Sequence, residues 1–313
     1  MLWPASLLFR IAVALRRLLY RLRVLESVHP GIPVIVVGNL VAGGSGKTPL
    51  VLWLAEFLKA KGRSPAIVSR GYGARLQAPR EATLASAPEE VGDEPILLAR
   101  RSGCPVWVGA DRAAVTAAVR ARHPEVDVLV LDDGLQHYRL RRDLEIAVVD
   151  ARGFGNGFML PAGPLREPVS RLESVDAVVR HGSAPVRGFA MRLAGECLHR
   201  MTDARERRSA ASFAGEKVHA VAGIGDPERF FQHLVALGVK PVPHPFPDHH
   251  PFAARELEFG DEAPVLLTEK DAVKLRHAAR PNWWVLPVTA QLDPAFGDWL
   301  LGRLDEWRRP EIA

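Results

Sequence analysis

Cysteine is scarce in this sequence, which has only Cys104 and Cys197 among 313 residues and no Cys-x-x-Cys pair. This scarcity excludes a disulfide framework and gives no sign of a cysteine-based zinc site. Long uncharged stretches are missing too: no apolar run approaches the roughly 18–20 residues that a helix needs to cross a bilayer. Internal repeats, low-complexity tracts and a small-residue cleavage site are likewise absent. We therefore expect a globular protein that stays in a reducing compartment.

Acidic residues and lysine are absent from the first 25 residues, which carry five arginines. These arginines account for the whole formal charge of +5, because the remaining 36 basic and 36 acidic residues cancel. On a helical projection the arginines lie opposite or beside a continuous apolar face. That face is made of Leu8, Ile11, Leu15, Leu18, Leu19, Leu22 and Leu25. Residues 1–28 are therefore predicted to form an amphipathic helix that lies on an anionic membrane surface or, alternatively, packs on the protein's own core.

A glycine-rich turn follows the first β-branched run, residues 34–37. Residues 43–48 read Gly-Gly-Ser-Gly-Lys-Thr, and an amphipathic helical pattern begins directly afterwards. This strand–turn–helix order presents backbone N–H groups and a helix N-terminus to a polyphosphate. The match is a variant P-loop, because the strict pattern has glycine where this chain has Val41. The predicted nucleotide-binding residues are Gly43, Gly44, Ser45, Gly46, Lys47 and Thr48, with the Thr48 hydroxyl also on Mg²⁺.

Strands and helices alternate beyond this loop, and the predicted strands are continuous apolar runs. The pattern predicts an α/β fold, a P-loop NTPase-type parallel sheet covered on both faces, with ligands at the carboxyl ends of its strands. One such strand, residues 128–131, is followed by Asp132 and Asp133. A buried strand that delivers carboxylates beside a P-loop typically binds Mg²⁺, although Asp-Gly also marks an ordinary turn.

Three further segments place polar side chains in loops or at helix starts. Asp93 precedes a predicted helix. It is expected either to take part in the chemistry or simply to cap the N-terminus of that helix. Arg166 and Glu167 lie in a loop rich in glycine and proline; Arg166 would neutralise phosphate charge, and Glu167 would join a metal shell. Residues 248–250, Asp-His-His, lack the further ligands of a zinc site, which favours an acid–base role.

The composition changes between residues 185 and 212, where arginine and alanine dominate. We expect a linker there, as a solvated connection or a hairpin. It would separate a nucleotide-binding core, residues 29–184, from a smaller C-terminal α/β domain, residues 213–313. The smaller domain begins with a second strand–loop–helix unit, and its residues 268–271 start either a capped surface helix or part of an interdomain cleft.

Several motifs, taken together and in order, resemble the tetraacyldisaccharide 4′-kinase family, the lipid A 4′-kinases of Gram-negative bacteria. Besides the P-loop they are residues 69–73 (Ser-Arg-Gly-Tyr-Gly), 91–95 (Val-Gly-Asp-Glu-Pro), 132–137 (Asp-Asp-Gly-Leu-Gln-His), 160–167 (Leu-Pro-Ala-Gly-Pro-Leu-Arg-Glu), 246–250 (Phe-Pro-Asp-His-His) and 268–271 (Thr-Glu-Lys-Asp). The resemblance implies Mg²⁺-dependent transfer of the γ-phosphoryl group of ATP to the 4′-hydroxyl of a tetraacylated glucosamine disaccharide 1-phosphate. It places that reaction at the cytoplasmic face of the inner membrane, and implies two domains, joined by a β-ribbon, that close over the nucleotide.

The resemblance also assigns roles to individual residues. Phosphate, metal and nucleotide ligands are matched by Lys47, Thr48, Asp132, Asp133 and Glu167. Asp93 matches the proposed general base, and His249, next to His250, falls where the family has a histidine that works with this base. With Arg166, selected above for phosphate charge, the predicted catalytic set is Asp93, His249, Lys47 and Arg166.

A P-loop nucleotide switch or partitioning-type protein is the main alternative, because such proteins also pair a P-loop with a strand-end aspartate. A GTP-specific switch would carry an Asn/Thr-Lys-x-Asp motif after a strand, and residues 268–271 come close to that pattern. Nucleic acid is not expected as a partner, since the basic excess is confined to the N-terminal segment and no recognition module is present. The sequence points to no particular protein partner.

Overall fold

The computed structural model describes residues 2–74 and 76–307. Met1 of the expected N-terminal helix and residues 308–313 of the expected C-terminal domain lie outside the described residues. The helices are α1 (Trp3–Arg21), α2 (Lys47–Ala60), α3 (Pro88–Val91), α4 (Asp93–Ser102), α5 (Arg112–Arg122), α6 (Pro227–Ala236), α7 (Glu269–Leu275) and α8 (Pro294–Asp305). The strands are β1 (Val34–Gly38), β2 (Pro65–Ser69), β3 (Arg80–Ala82), β4 (Val106–Val108), β5 (Val128–Asp132), β6 (Leu144–Val149), β7 (Ala177–His181), β8 (Phe189–Ala194), β9 (Cys197–Arg200), β10 (Arg207–Ser209), β11 (Val218–Ala222), β12 (Pro241–Pro245), β13 (Val265–Thr268), β14 (Trp283–Leu286) and β15 (Thr289–Leu292).

The larger sheet has nine strands in the order β15-β8-β7-β6-β1-β5-β2-β4-β3. The strands from β8 to β4 run parallel, whereas β15 and β3 pair antiparallel at the two edges. In β1, Val34 and Val36 enter the core on one face, and Ile35 and Val37 enter the core on the other. A sheet covered on both faces needs apolar side chains all along its strands. The predicted parallel P-loop sheet is therefore confirmed.

The smaller sheet has six strands in the order β10-β9-β14-β13-β11-β12. Alternate residues of β11 pack with α6 in a core that includes Phe230, Phe231 and Leu234. Prolines occupy positions 241, 243 and 245 of β12. Proline has no N–H to donate, which suits a strand at the sheet edge. The predicted smaller α/β unit is thus present.

The sheets divide the chain differently from the expected boundaries at residues 184/185 and 212/213. β8 lies within the expected linker but belongs to the larger sheet, and β15 and α8 lie within the expected C-terminal domain but return to that sheet. β15 pairs with β8, and α8 places Phe296, Leu300 and Leu304 in the same core as α2. Composition cannot show that β15 and α8 belong to the larger sheet, because an apolar helix face could pack on either sheet. We call residues 195–288 the small lobe and the other described residues, except α1, the large lobe.

Helix α1 rests on the large lobe through one side only. Its Ser6 hydroxyl donates a hydrogen bond to the Met159 carbonyl at 2.7 Å, and Phe9 and Val13 pack on the neighbouring loop. The predicted apolar face points away from the protein, with exposures between 48% and 68% at Leu8, Ile11, Leu15 and Leu18. Packing of that face on the protein's own core is therefore not what the structure shows. No helix in the described part of the chain is long and apolar enough to span a membrane.

The helix ends at Arg21, short of the expected residue 28. The N–H groups of Val24 and Arg23 donate to the carbonyls of Leu19 and Tyr20, and Arg23 has a φ of 59°. This pattern is a Schellman motif, which turns the chain out of the helix.

Candidate active site

The glycine-rich loop connects β1 to α2, as predicted. Gly43 and Gly46 have φ values of 100° and 90°, and Gly46 is the N-cap of α2. Such positive φ values favour glycine, and they let successive N–H groups face an anion. Side chains from neighbouring segments hold the loop: Asn39 donates to the Gly43 carbonyl at 3.2 Å, and Arg152 donates to that of Gly44. The predicted Ser45 is buried within this loop.

Asp133 lies beside the P-loop lysine. Its Oδ1 is 3.4 Å from Lys47 Nζ, and Arg166 donates to both carboxylate oxygens at 3.1 and 3.0 Å. Burial would raise the pKa of Asp133, but the charges of Lys47 and Arg166 outweigh it and hold the pKa below its ordinary value. The structure thus brings together three of the predicted site residues, one at the start of α2 and two in separate loops.

Asp132 is directed elsewhere, because Asp133 has a φ of 51° and turns the chain after β5. Its Oδ2 accepts a hydrogen bond of 3.4 Å from Ser69, whereas its Oδ1 is buried and bonds to no described residue. Burial and the nearby carboxylates of Glu94 and Asp133 raise the pKa of Asp132 to about 7. The positive charges of Lys47 and Arg112 lower the pKa of Asp132 but do not outweigh these effects, and a bound cation would supply further positive charge.

The residues around Asp132 fit a magnesium ion. Thr48 donates its hydroxyl to Glu94 at 2.8 Å, so a hydroxyl and two carboxylates share one corner of the site. Within residues 2–74 and 76–307 no three His, Cys, Asp or Glu side chains are grouped to hold a metal by themselves. Mg²⁺ commonly takes one or two carboxylates and completes its shell with water and phosphate oxygens. Glu94 was not among the predicted metal ligands, because an acidic residue in the first turn of a helix is expected on structural grounds alone.

Glu167 is fully buried and belongs to a separate network of side chains. Its carboxylate accepts hydrogen bonds from Tyr138 and, at 3.1 Å, from Gln136, and it pairs with Arg171 and with Arg17 of α1. Both carboxylate oxygens therefore already have partners. Its role as a metal ligand stays a prediction, and it would require one of these partners to be exchanged.

Asp93 and His249, which are 156 residues apart in the chain, meet at the lobe interface. His249 Nδ1 lies 3.1 and 3.2 Å from the two oxygens of Asp93. Burial would raise the pKa of Asp93, but the hydrogen bond with His249 and the charges of two lysines outweigh it and lower the pKa. The same hydrogen bond raises the pKa of His249. His250 instead pairs with Glu256 at 3.0 Å, so the structure places His249, and not its neighbour, at the carboxylate.

Two lysines of α7 complete this cluster. Residues 268–271 were a candidate part of an interdomain cleft, but neither lysine was among the predicted site residues. Lys270 Nζ is 3.3 Å from His249 Nε2 and 3.1 Å from Asp248, and Lys274 Nζ is 3.9 Å from Asp93. Helix α7 packs on α4, where two hydrogen bonds of 2.6 Å join Arg101 to Glu269. This packing sets the position of the lysines relative to Asp93.

A cavity of about 1060 Å³ joins these elements. Lys47, Asp133 and Arg166 line it from the large lobe, and His249 and Lys270 line it from the small lobe. Its lining also includes Phe9, Val13 and Arg16 of α1, and Phe230, Leu286 and Val288. The P-loop and the amphipathic surface helix therefore line one cavity.

The small lobe touches the P-loop through Gly225. A Cβ atom at this position would lie 2.8 Å from the backbone nitrogen of Gly44 and 3.3 Å from an oxygen of Asp248. Glycine is therefore required here for close approach of the two loops. Residues 223–225 of the loop after β11 read Gly-Ile-Gly, and the second glycine of this pattern makes the contact.

We expect Gly225→Ala to raise the KM for ATP several-fold with a melting temperature close to that of the parent protein. The added methyl meets backbone, which cannot swing aside, and pushes the small lobe from the P-loop. Steady-state kinetics with varied ATP would measure the effect. Gly302→Ala in α8, where a Cβ meets open space, is the control. Equal KM values for the two variants would contradict the argument.

The contacts of Asp271 argue against residues 268–271 as a guanine-recognition motif. It is completely buried, accepts hydrogen bonds from the Thr268 hydroxyl and the Gly223 N–H, and pairs with Lys274 at 2.8 Å. A residue that recognises a base must present free acceptors to it. Thr268 also caps α7, as predicted.

The chain is similar to known proteins over nearly its whole length. A family model described as tetraacyldisaccharide-1-P 4′-kinase matches residues 1–305. A protein named tetraacyldisaccharide 4′-kinase from Azoarcus sp. (strain BH72) is 50% identical, over 99% of this chain and 93% of its own length. One of the same name from Methylobacillus flagellatus is 49% identical, with 99% and 93% covered. The crystal structure of "apo" form LpxK from Aquifex aeolicus in complex with ATP has a TM-score of 0.81 and 30% identity, with 97% of this chain and 98% of that chain covered.

Proposed function

Because the chain belongs to the tetraacyldisaccharide-1-P 4′-kinase family, we propose that it phosphorylates the 4′-hydroxyl of an acylated glucosamine disaccharide 1-phosphate with ATP, using Asp93 as general base. One observation carries the assignment of the base: His249, hydrogen-bonded to Asp93, lines the same cavity as Lys47 of the P-loop. A phosphoryl transfer to a hydroxyl requires a base close to the phosphate cradle, and the Asp93–His249 pair reaches the cavity of the P-loop through His249.

In this reaction the O–H bond of the sugar breaks as its oxygen bonds to the γ-phosphorus. The proton passes to Asp93, and the bond to the β,γ-bridging oxygen breaks with its electron pair leaving on ADP. The low pKa of Asp93 keeps it ionised and ready to accept this proton. Lys47 and Arg166, which both contact Asp133, supply positive charge to the transferring group.

Thr48 and Asp132, with Glu94 beside them, would hold Mg²⁺, which when bound neutralises charge on the β- and γ-phosphates. Asp133 orients Lys47 and Arg166 through their ion pairs. The Gly225 contact closes the small lobe on the P-loop and helps to exclude water, whose attack would waste ATP.

The assay that tests this function supplies γ-labelled ATP, Mg²⁺ and tetraacyldisaccharide 1-phosphate in detergent micelles. Label should appear in the lipid and depend on both substrates. Release of labelled phosphate without labelled lipid would favour the nucleotide switch.

For the lipid end, we propose that α1 lies on the cytoplasmic face of the inner membrane. Its exposed leucines would enter the acyl boundary, and its exposed arginines Arg10 and Arg21 would contact anionic headgroups. The cavity, which Phe9 and Val13 help to line, would then receive an acylated sugar while its acyl chains stay out of water.

We expect the double variant Leu15→Ser, Leu18→Ser to bind vesicles at least tenfold more weakly, since each buried leucine contributes about 1.5–3 kcal/mol. Both side chains are exposed, so the fold should persist. Co-sedimentation with phosphatidylglycerol-containing vesicles measures the change. Val235→Ser, an equally exposed site on the small lobe, is the control. Unchanged binding of the double variant would contradict a membrane role for this face.

A further inference from the structure

Lys270, His249 and Asp93 form a row of contacts across the lobe interface. Lys270 Nζ lies 3.3 Å from His249 Nε2, and His249 Nδ1 lies 3.1 Å from Asp93. Asp248 holds the lysine from the other side at 3.1 Å. The ring of Tyr72 packs on the imidazole, with centroids 4.7 Å apart, and restrains its orientation.

The chemistry of the end groups determines which ring nitrogen carries hydrogen. An ammonium group has three donors and no acceptor, so Nε2 can bond to Lys270 only through its lone pair. A neutral imidazole whose Nε2 is bare has its hydrogen on Nδ1, and Nδ1 faces the Asp93 carboxylate. Lys270 stays charged here: burial disfavours the ammonium form, but the carboxylates of Glu94, Asp93 and Asp248 outweigh it and raise its pKa.

We propose that Lys270 is a positioning residue that keeps Nε2 of His249 unprotonated, so that, with Asp93 accepting at Nδ1, the ring is held as the neutral Nδ1–H tautomer and donates a hydrogen bond to Asp93. This inference rests on the proposed function of Asp93. It makes His249 a group that orients the base and keeps it ionised. The sugar proton then stays on Asp93 during transfer, because Nδ1 has no lone pair to receive it.

Lys274 is not placed for this role. Its ion pairs are with Asp93 at 3.9 Å and with Asp271 at 2.8 Å, and not with His249. Asp248 would favour a protonated Nε2, but its nearest oxygen is 3.8 Å from Nε2, farther than the ammonium group. Of these charged groups, Lys270 is therefore the one at hydrogen-bond distance from Nε2.

Nitrogen-15 NMR of the histidine rings in the full-length protein tests the assignment without turnover. In the unmodified protein at mildly alkaline pH, His249 should show a bare Nε2 and a protonated Nδ1; the His249→Gln variant identifies its resonances. Lys270→Met should let Nε2 take up a proton, so that the ring becomes at least partly imidazolium while Nδ1 stays protonated towards Asp93. Lys270→Arg should keep Nε2 bare, because arginine is also a pure donor. A protonated Nε2 in the unmodified protein, or an Nε2 that stays as bare in Lys270→Met as in the unmodified protein, would overturn the proposal.

Kinetics supply the second readout. Lys270→Met should lower kcat roughly tenfold, the scale of one charge-assisted hydrogen bond, with the KM for ATP unchanged. In a His249→Gln background the same substitution should cause no further loss, because Lys270 acts through His249. Additive losses, or a raised KM for ATP, would place Lys270 on the nucleotide and overturn the proposal. Should Asp93→Asn retain turnover, the general base would be wrong, while the NMR result would still decide the tautomer.

Discussion

Replacing Asp93 by asparagine is expected to lower kcat by roughly 10²–10⁴-fold, with little change in the KM for ATP. The amide keeps the shape of the carboxylate but cannot take the proton of the sugar hydroxyl. The contacts of Asp93 run to His249 and Lys274, not to the P-loop, so nucleotide binding should survive. Initial rates at varied ATP and varied lipid would separate the two effects.

The adjacent histidines provide the matched comparison. His249→Gln should also lower kcat, because it removes the hydrogen bond on which the ionised base depends. His250→Gln should leave turnover close to that of the parent protein, since His250 pairs with Glu256. Near-normal turnover of Asp93→Asn would remove Asp93 from the role of base.

The second large effect is expected at Lys47. Lys47→Ala should lower kcat/KM for ATP by roughly 10²–10³-fold, the range measured when one donor to a developing negative charge is removed. In this variant Arg166 is the remaining cationic partner of Asp133. The negative charge of Asp133 is then less well compensated, and it faces the phosphates. Steady-state rates with varied ATP are again the measurement.

Lys61→Ala is the control, because Lys61 lies at the opposite end of the same helix and is exposed. Its rates should match those of the parent protein. If Lys47→Ala kept both an ordinary kcat and an ordinary KM for ATP, the P-loop assignment would fail.

Local patterns in the sequence were sufficient for the phosphate-binding half of the site. The order of β-branched strand, glycine-rich turn and amphipathic helix is encoded by neighbouring residues, and the structure has β1, the loop and α2 in that order. The exposed leucine face of α1 was likewise predictable, because helical periodicity depends only on spacing.

The catalytic half depends on contacts between distant residues, which local patterns do not encode. Asp93 and His249 were selected through the family resemblance, and periodicity alone could not have brought them together. Glu94 and Lys270 look like ordinary first-turn residues of α4 and α7, and only the packing of these helices gives them partners in the site. The return of β15 to the larger sheet was missed for the same reason: strand pairing at long range leaves no mark in composition.

The small lobe leaves the large lobe at Gly195 and rejoins it at Val288, and these two ends lie side by side. A Cβ at Gly195 would be 2.3 Å from the carbonyl oxygen of Pro287. Two adjacent connections restrict the lobes to rotation about one hinge axis. A single connection would allow rotation about several axes. If the two lobes close over the nucleotide, as the family resemblance implies, this double connection would make closure one rotation with few alternative paths. Gly225 and His249, which belong to the same lobe, would then reach the P-loop and Asp93 in the same movement, so that the base would be completed only when the phosphates are covered.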